Sequence, residues 1–170
     1  MRFKKKSIWV DSDLLTVIEG AEDKEGLERF DSRFEAEIYL LLLDFVKNKP
    51  LIVVRQLKIP VTSRTPYIAP IRGMIWRCDF AVYDDWIFTG VPMTTDLLPR
   101  MLIEAKGQVS RDFKLTLALL PPWVNEILTI VCQDTSNQKA LLRCLKKDAP
   151  IRYVQSMKKF EEWLSSNPLN

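Results

Sequence analysis

The sequence predicts an α/β domain, and three observations carry that prediction. Residues 31 to 49 place apolar side chains at 34, 38, 41, 42 and 45, the spacing of one helical face. Three runs between residues 51 and 107 are β-branched or alternate between apolar and polar, as half-buried strands do. Helical and apolar segments then follow in turn, giving the order α-β-β-β-α-β with short additions at both ends.

Taken in order, residues 1–30 read as an N-terminal extension, partly ordered or forming a short helix. SIWV fits a short strand, and DSDLLTVIEGAEDKEGLERF mixes one apolar cluster with dense charge and two glycines. Residues 31–170 read as a single domain. DSRFEAEIYLLLLDFVKNK opens on a capping residue, Asp31 or Ser32. Ser32 with Glu35 three residues on fits a capping box, and Lys47-Asn48-Lys49-Pro50 is a helix stop.

Strands follow at LIVVRQLKIPVT (51–62), RGMIWRCDFAVYDD (72–85) and PRMLIEAKG (99–107). The connection TSRTPYIAPI carries two prolines, and residues 86 to 98 form a long apolar loop of the kind that flanks a site or contacts a partner. SRDFKLTLALL (110–120) predicts a helix stopped by Pro121-Pro122. EILTIVCQD (126–134) then predicts a buried strand, NQKALLRCLKK (137–147) a helix, IRYVQS an extended segment and MKKFEEWLSS a terminal helix.

Composition narrows the chemistry. At 170 residues, 47% hydrophobic and 28% charged, the chain has the material for one core. No apolar run reaches the ~18 residues of a membrane span, and the basic start leads into a segment too short and acidic for a signal peptide. A cytoplasmic protein with no membrane association is expected. Cys78, Cys132 and Cys144 are odd in number and lack CxxC spacing, so they read as buried apolar residues. The chain contains no histidine, which removes Ser-His-Asp and Cys-His hydrolases, HExxH metalloproteases and histidine-metal nucleases together. Hydrolytic chemistry here must rest on carboxylates and lysine.

The net charge of +3 is mild, but its distribution is uneven: −2 over residues 1–50 and +5 over 51–170. The later part is the expected anionic-ligand surface.

Within PRMLIEAKG, Glu104 and Lys106 lie two apart, so on a strand they share a face roughly 7 Å from each other. In the preceding strand, Asp79 stands inside the apolar run CDFAV. If these strands pair as an antiparallel hairpin, Asp79 and Glu104 lie on neighbours ~4.8 Å apart, a spacing at which two carboxylates share a divalent metal. Such a metal activates water and stabilises charge on a transferring phosphoryl group, and a lysine beside it orients the water. Glu35, at the edge of the first helix's packed face, would add a further carboxylate.

The order helix glutamate, strand aspartate, Glu-x-Lys and basic helix resembles the PD-(D/E)XK nuclease superfamily. Ser32-Arg33-Phe34-Glu35 looks like its first-helix motif, Cys78-Asp79-Phe80 like its PD element, and Ile103-Glu104-Ala105-Lys106-Gly107 like its ExK element. Cys78 stands where the name-giving proline would be. The resemblance covers residues 32 to about 134. It is nearest to small phage-type or mobile-element endonucleases, including Holliday junction resolvases and transposase endonuclease subunits.

The resemblance implies a restriction-endonuclease-like core, a central mixed β-sheet flanked by helices. It also implies Mg²⁺-dependent hydrolysis of DNA, with Mn²⁺ substituting. Asp79, Glu104, Lys106 and Glu35 would be catalytic, and the Ala105 carbonyl would join Asp79, Glu104 and Glu35 as a metal ligand. The DNA partner would meet Arg111, Lys114 and Gln108, with Lys139, Arg143, Lys146 and Lys147 on the next helix. A homodimer or recruiting protein partner is compatible with so small a domain.

Blander readings stand beside each residue. Glu104 with Lys106 forms a surface ion pair in one reading, and Asp79 pairs with Arg77 or Arg100. Glu35 is a capping residue only, with Glu37 competing for the metal role, and the basic helix faces are simply solvated. Gln56 and Gln108 orient water or phosphate, or are plain surface. Trp76, Trp86 and Trp123 are packing residues before they are base-stacking platforms. At the level of the whole chain, the alternatives are an idle nuclease-fold module that binds nucleic acid or protein, and an α/β domain in which the motif is coincidence.

Overall fold

A computed structural model describes residues 7–20, 25–61, 75–85, 98–108, 110–144 and 153–166. The chain forms two compact units, Met1–Lys49 and Pro50–Asn170, so the division follows the first helix and does not fall at residue 30.

In the first unit, strands β1 (Ile8–Asp11), β2 (Thr16–Glu19) and β3 (Leu27–Phe30) make an antiparallel sheet in the order β2-β1-β3. The strand reading of SIWV matches β1, while the sheet corrects the expected extension or short helix over the rest. Each strand has four residues, too few for a period of two to stand out, and the sheet exists because Ile8 meets both Glu19 and Phe30 far along the chain. Helix α1 (Arg33–Val46) packs on all three strands. Its start is as the sequence predicts: Ser32 Oγ accepts from the Glu35 N–H at 3.2 Å.

The second unit carries β4 (Leu51–Pro60), β5 (Ile75–Asp84), β6 (Met101–Lys106), α2 (Arg111–Leu119), α3 (Pro122–Ile127), β7 (Leu128–Cys132), α4 (Thr135–Cys144), β8 (Tyr153–Ser156) and α5 (Met157–Ser166). Its five strands lie in the order β4-β5-β6-β7-β8. The β4-β5 and β5-β6 pairs are antiparallel and the β6-β7 and β7-β8 pairs parallel, so the sheet is mixed and flanked by helices, as expected. Helix α3 packs on β6, while α4 and α5 pack on β7 and β8. All five residues of β7 are buried, which is why Leu-Thr-Ile-Val-Cys is a nearly continuous apolar run.

Helix α3 is not among the expected elements: Glu126 and Ile127 belong to it, not to a strand beginning at 126, and α4 begins at Thr135, two residues before the expected start. Pro121 and Pro122 end α2, and Pro122 then opens α3, because a first-turn proline has its φ already set and gives up an N–H that the helix would not use.

The core beneath the sheet joins Ile59, Trp76, Leu102, Leu117, Leu128 and Leu141. Cys78 and Cys132 are buried free thiols, Trp76 is a core residue and Trp123 packs against that core. The proline connection from residue 62, the apolar loop over 86–97, Trp86, Lys146 and Lys147 lie outside the described residues, as does the Cys144 side chain. Among the described residues no helix is long and apolar enough to cross a membrane.

Candidate active site

The β5-β6 ladder pairs Val82 with Met101, Ala81 with Leu102 and Phe80 with Ile103. One step beyond, where Asp79 and Glu104 come opposite each other, side chains replace the ladder. The Ala105 N–H donates to Asp79 Oδ2 at 2.8 Å, and the Asp79 N–H donates to Glu104 Oε2 at 3.3 Å. The Cys78 thiol shares its single S–H between the Phe80 and Ile103 carbonyls, both at 3.3 Å, and through Ile103 links the two strands where they part.

The β4-β5 ladder is interrupted at the same level. Arg55 pairs with Phe80 and Leu57 with Cys78, while Gln56, opposite Asp79, has left-handed backbone at φ 52°. The core-facing positions change phase there. Ile52 and Val54 share one core with Leu57 and Ile59, and Trp76 and Cys78 share it with Ala81 and Tyr83. In regular strands residues of opposite parity face opposite ways, so both strands are kinked where Gln56 meets Asp79. Gln56 Nε2 donates to Asp79 Oδ1 at 3.4 Å.

Glu104 is 2% exposed, and its Oε1 lies 2.6 Å from Lys106 Nζ. The ion-pair reading is therefore right about the contact, but the carboxylate is buried. Lys106 Nζ also sits 4.3 Å from the centre of the Phe113 ring on α2, a cation-π contact. Burial pushes Glu104 from 4.5 up to about 8, repulsion from Asp79 adds to the rise, and Lys106 opposes it. Burial likewise holds the Cys78 thiol well above its ordinary value, with the two carboxylates contributing, which disfavours the thiolate. Arg100, one of the two arginines expected to pair with Asp79 in the structural reading, pairs with Asp84 at 2.8 Å.

Asp79 and Glu104 supply oxygen donors of the kind that hard divalent cations take. Two carboxylates whose mutual repulsion raises a pKa gain from a positive charge between them. In extended backbone the N–H and C=O of a residue point to the same neighbour, so the Ala105 carbonyl lies on the edge where its N–H meets Asp79. Among the described residues no three Asp, Glu or Cys side chains gather at one point.

Glu35 belongs to the first unit, where its backbone is capped by Ser32, and the competing Glu37 accepts from Arg33 Nε at 2.9 Å. Gln108 is exposed just after Lys106, and Lys139 and Arg143 are exposed one helical turn apart on α4. Arg111 and Lys114 fall within α2, with side chains outside the described residues. Asn137 ties α4 to the end of β6 by donating to the Gly107 carbonyl at 2.7 Å.

The kink at Gln56 departs from the two regular strands that alternation predicts. Its signal is the unbroken apolar run Phe80-Ala81-Val82-Tyr83 after the alternation of Trp76-Arg77-Cys78-Asp79. Compared with known proteins, the chain matches no family model, no curated protein and no solved structure at a significant level.

Proposed function

We propose that this chain is a metal-dependent endonuclease that hydrolyses phosphodiester bonds in DNA. The observation that carries the proposal is the meeting of Asp79, buried Glu104 and Lys106 where the β5-β6 ladder ends. The antiparallel β4-β5-β6 with parallel β7, preceded by α1 and separated by α2, supports a restriction-endonuclease-like core.

Asp79, Glu104 and the Ala105 carbonyl would hold Mg²⁺ or Mn²⁺. When bound, the metal makes water a better nucleophile and stabilises charge on the phosphate. Lys106, held between Glu104 and the Phe113 ring, orients the attacking water and offsets negative charge as it develops. Glu35 enters as a further carboxylate through the motif resemblance alone. Gln108, Arg111, Lys114, Lys139 and Arg143 would hold the DNA backbone, and a second copy or a recruiting protein would extend the reach of so small a domain.

A second reading, a module that binds nucleic acid or protein without cutting, draws on the internal satisfaction of the site, in which both carboxylates already accept hydrogen bonds. Plasmid, branched and single-stranded DNA incubated with Mg²⁺ or Mn²⁺ separate the two. Cleavage by wild type and none by Asp79→Asn supports the endonuclease. Binding without cleavage on every substrate overturns it in favour of the module.

A further inference from the structure

Gln56 occupies a position that backbone energetics disfavours. It lies in the middle of a ten-residue strand, yet its φ of 52° is one that side chains with a Cβ adopt at a cost. The other left-handed non-glycine residue among those described, Leu15, sits in the turn between β1 and β2, where such a conformation is ordinary. Glycine would make the same kink without strain. Packing does not explain the glutamine either, because Gln56 is exposed. What the kink does is set the carboxamide beside Asp79, on Oδ1, the oxygen other than the one that accepts from Ala105.

We propose that Gln56 is a substrate-contacting residue, whose carboxamide donates to a non-bridging oxygen of the phosphodiester held at Asp79. The inference rests on the hydrolase reading of that site and adds a residue to it. The carboxamide carries two N–H donors. One engages Asp79 at 3.4 Å, a long contact, and the other is the donor for a phosphate oxygen. A neutral donor suits this place. Lysine or arginine here would pair with Asp79 and weaken its hold on a cation, whereas an amide touches carboxylate and phosphate together without cancelling either charge. A hydrogen bond to an anionic phosphate oxygen is charge-assisted, as the one to Asp79 is.

The test uses the full chain, Mn²⁺ and the DNA substrate that wild type cuts fastest, with single-turnover rate, Mn²⁺ affinity and thermal melt measured for each variant. Gln56→Gly should melt no lower than wild type, since it relieves the left-handed strain, and should bind Mn²⁺ equally well, yet cleave at least tenfold more slowly. Gln56→Glu keeps the shape and replaces the donor with a charge, so it should lose at least as much rate. A Gln56→Gly or Gln56→Glu protein that cleaves at the wild-type rate overturns this inference and leaves the hydrolase reading standing. A wild-type protein that cuts no DNA overturns both.

Discussion

Asp79 and Glu104 face each other across antiparallel strands, and each carboxylate takes a backbone N–H from the other strand: Glu104 Oε2 from Asp79 at 3.3 Å, and Asp79 Oδ2 from Ala105 at 2.8 Å. Two acidic side chains thus stand where a regular hairpin would have backbone pairs. The arrangement satisfies two amides while placing two carboxylates side by side in a partly dry place, where burial and Asp79 raise the Glu104 pKa and Lys106 opposes the rise.

Asp79→Asn should abolish Mg²⁺-dependent cleavage, a loss on the order of a hundredfold or more for a group that holds the metal. The metal-free variant should melt higher than wild type, because the change removes the charge that repels Glu104. Circular dichroism and cleavage on the same preparation check both halves. Full activity with saturating Mg²⁺ would sink the assignment.

Lys106→Ala should retain DNA affinity within a few-fold and still bind Mn²⁺, while single-turnover cleavage falls by on the order of a hundredfold. An exposed ion pair contributes only about 0 to 1 kcal/mol. The Lys106-Glu104 pair is different in that its carboxylate side chain is 3% exposed. Losing the ammonium removes the charge that pulls the Glu104 pKa down, so the variant should also need more alkaline conditions or more metal to load the site. Near-normal cleavage with an unchanged melt would reduce the pair to a structural contact.

Stability of the metal-free protein should fall as pH rises from about 4.5 to about 8 through the contribution of Glu104. Over that interval the unfolded chain has released the carboxyl proton and the folded chain has kept it, so the folded state binds more protons and each step in pH disfavours it. The contribution is full below the unfolded value and lost as pH rises through the folded one. Glu104→Gln should flatten this part of the curve and exceed wild type in melting temperature near pH 8. Adding Mg²⁺ at pH 7 should raise the wild-type melt with release of a proton. Parallel wild-type and Glu104→Gln curves would show that Glu104 is not the group responsible.

Removing Arg111 and Lys114 together should weaken DNA binding and reduce the slope of log affinity against log salt by about one unit for each phosphate no longer neutralised. The chemistry on bound DNA should be little changed. An unaltered slope in the double variant means that neither residue touches phosphate.

Asn125 is fully buried on α3, and neither atom of its amide has a hydrogen-bond partner among the described residues. Burying such a group without partners costs about 1–3 kcal/mol. Asn125→Leu, which keeps the branched shape, should therefore raise the melting temperature by about 2–4 °C for each kcal/mol recovered. A lower melt would mean that the amide contributes to packing or bonding that leucine cannot replace.

The sequence by itself determined the elements whose signals are local. Apolar spacing and the Ser32 cap define α1, β-branched runs define β4 to β6, and the missing histidine confines any hydrolytic chemistry to carboxylates and lysine. It also singled out Asp79, Glu104 and Lys106, because an acid in an apolar strand and a Glu-x-Lys at a strand end are visible one residue at a time. Tertiary structure decided the rest. The β1-β2-β3 sheet depends on pairing between distant four-residue segments, and the opening of α3 on Pro122 depends on which of two proline roles the packing selects. The kink at Gln56 and the burial that raises Glu104 arise only when three strands and α2 come together. Register and dielectric are properties of neighbours in space, and a chain read in order does not contain them.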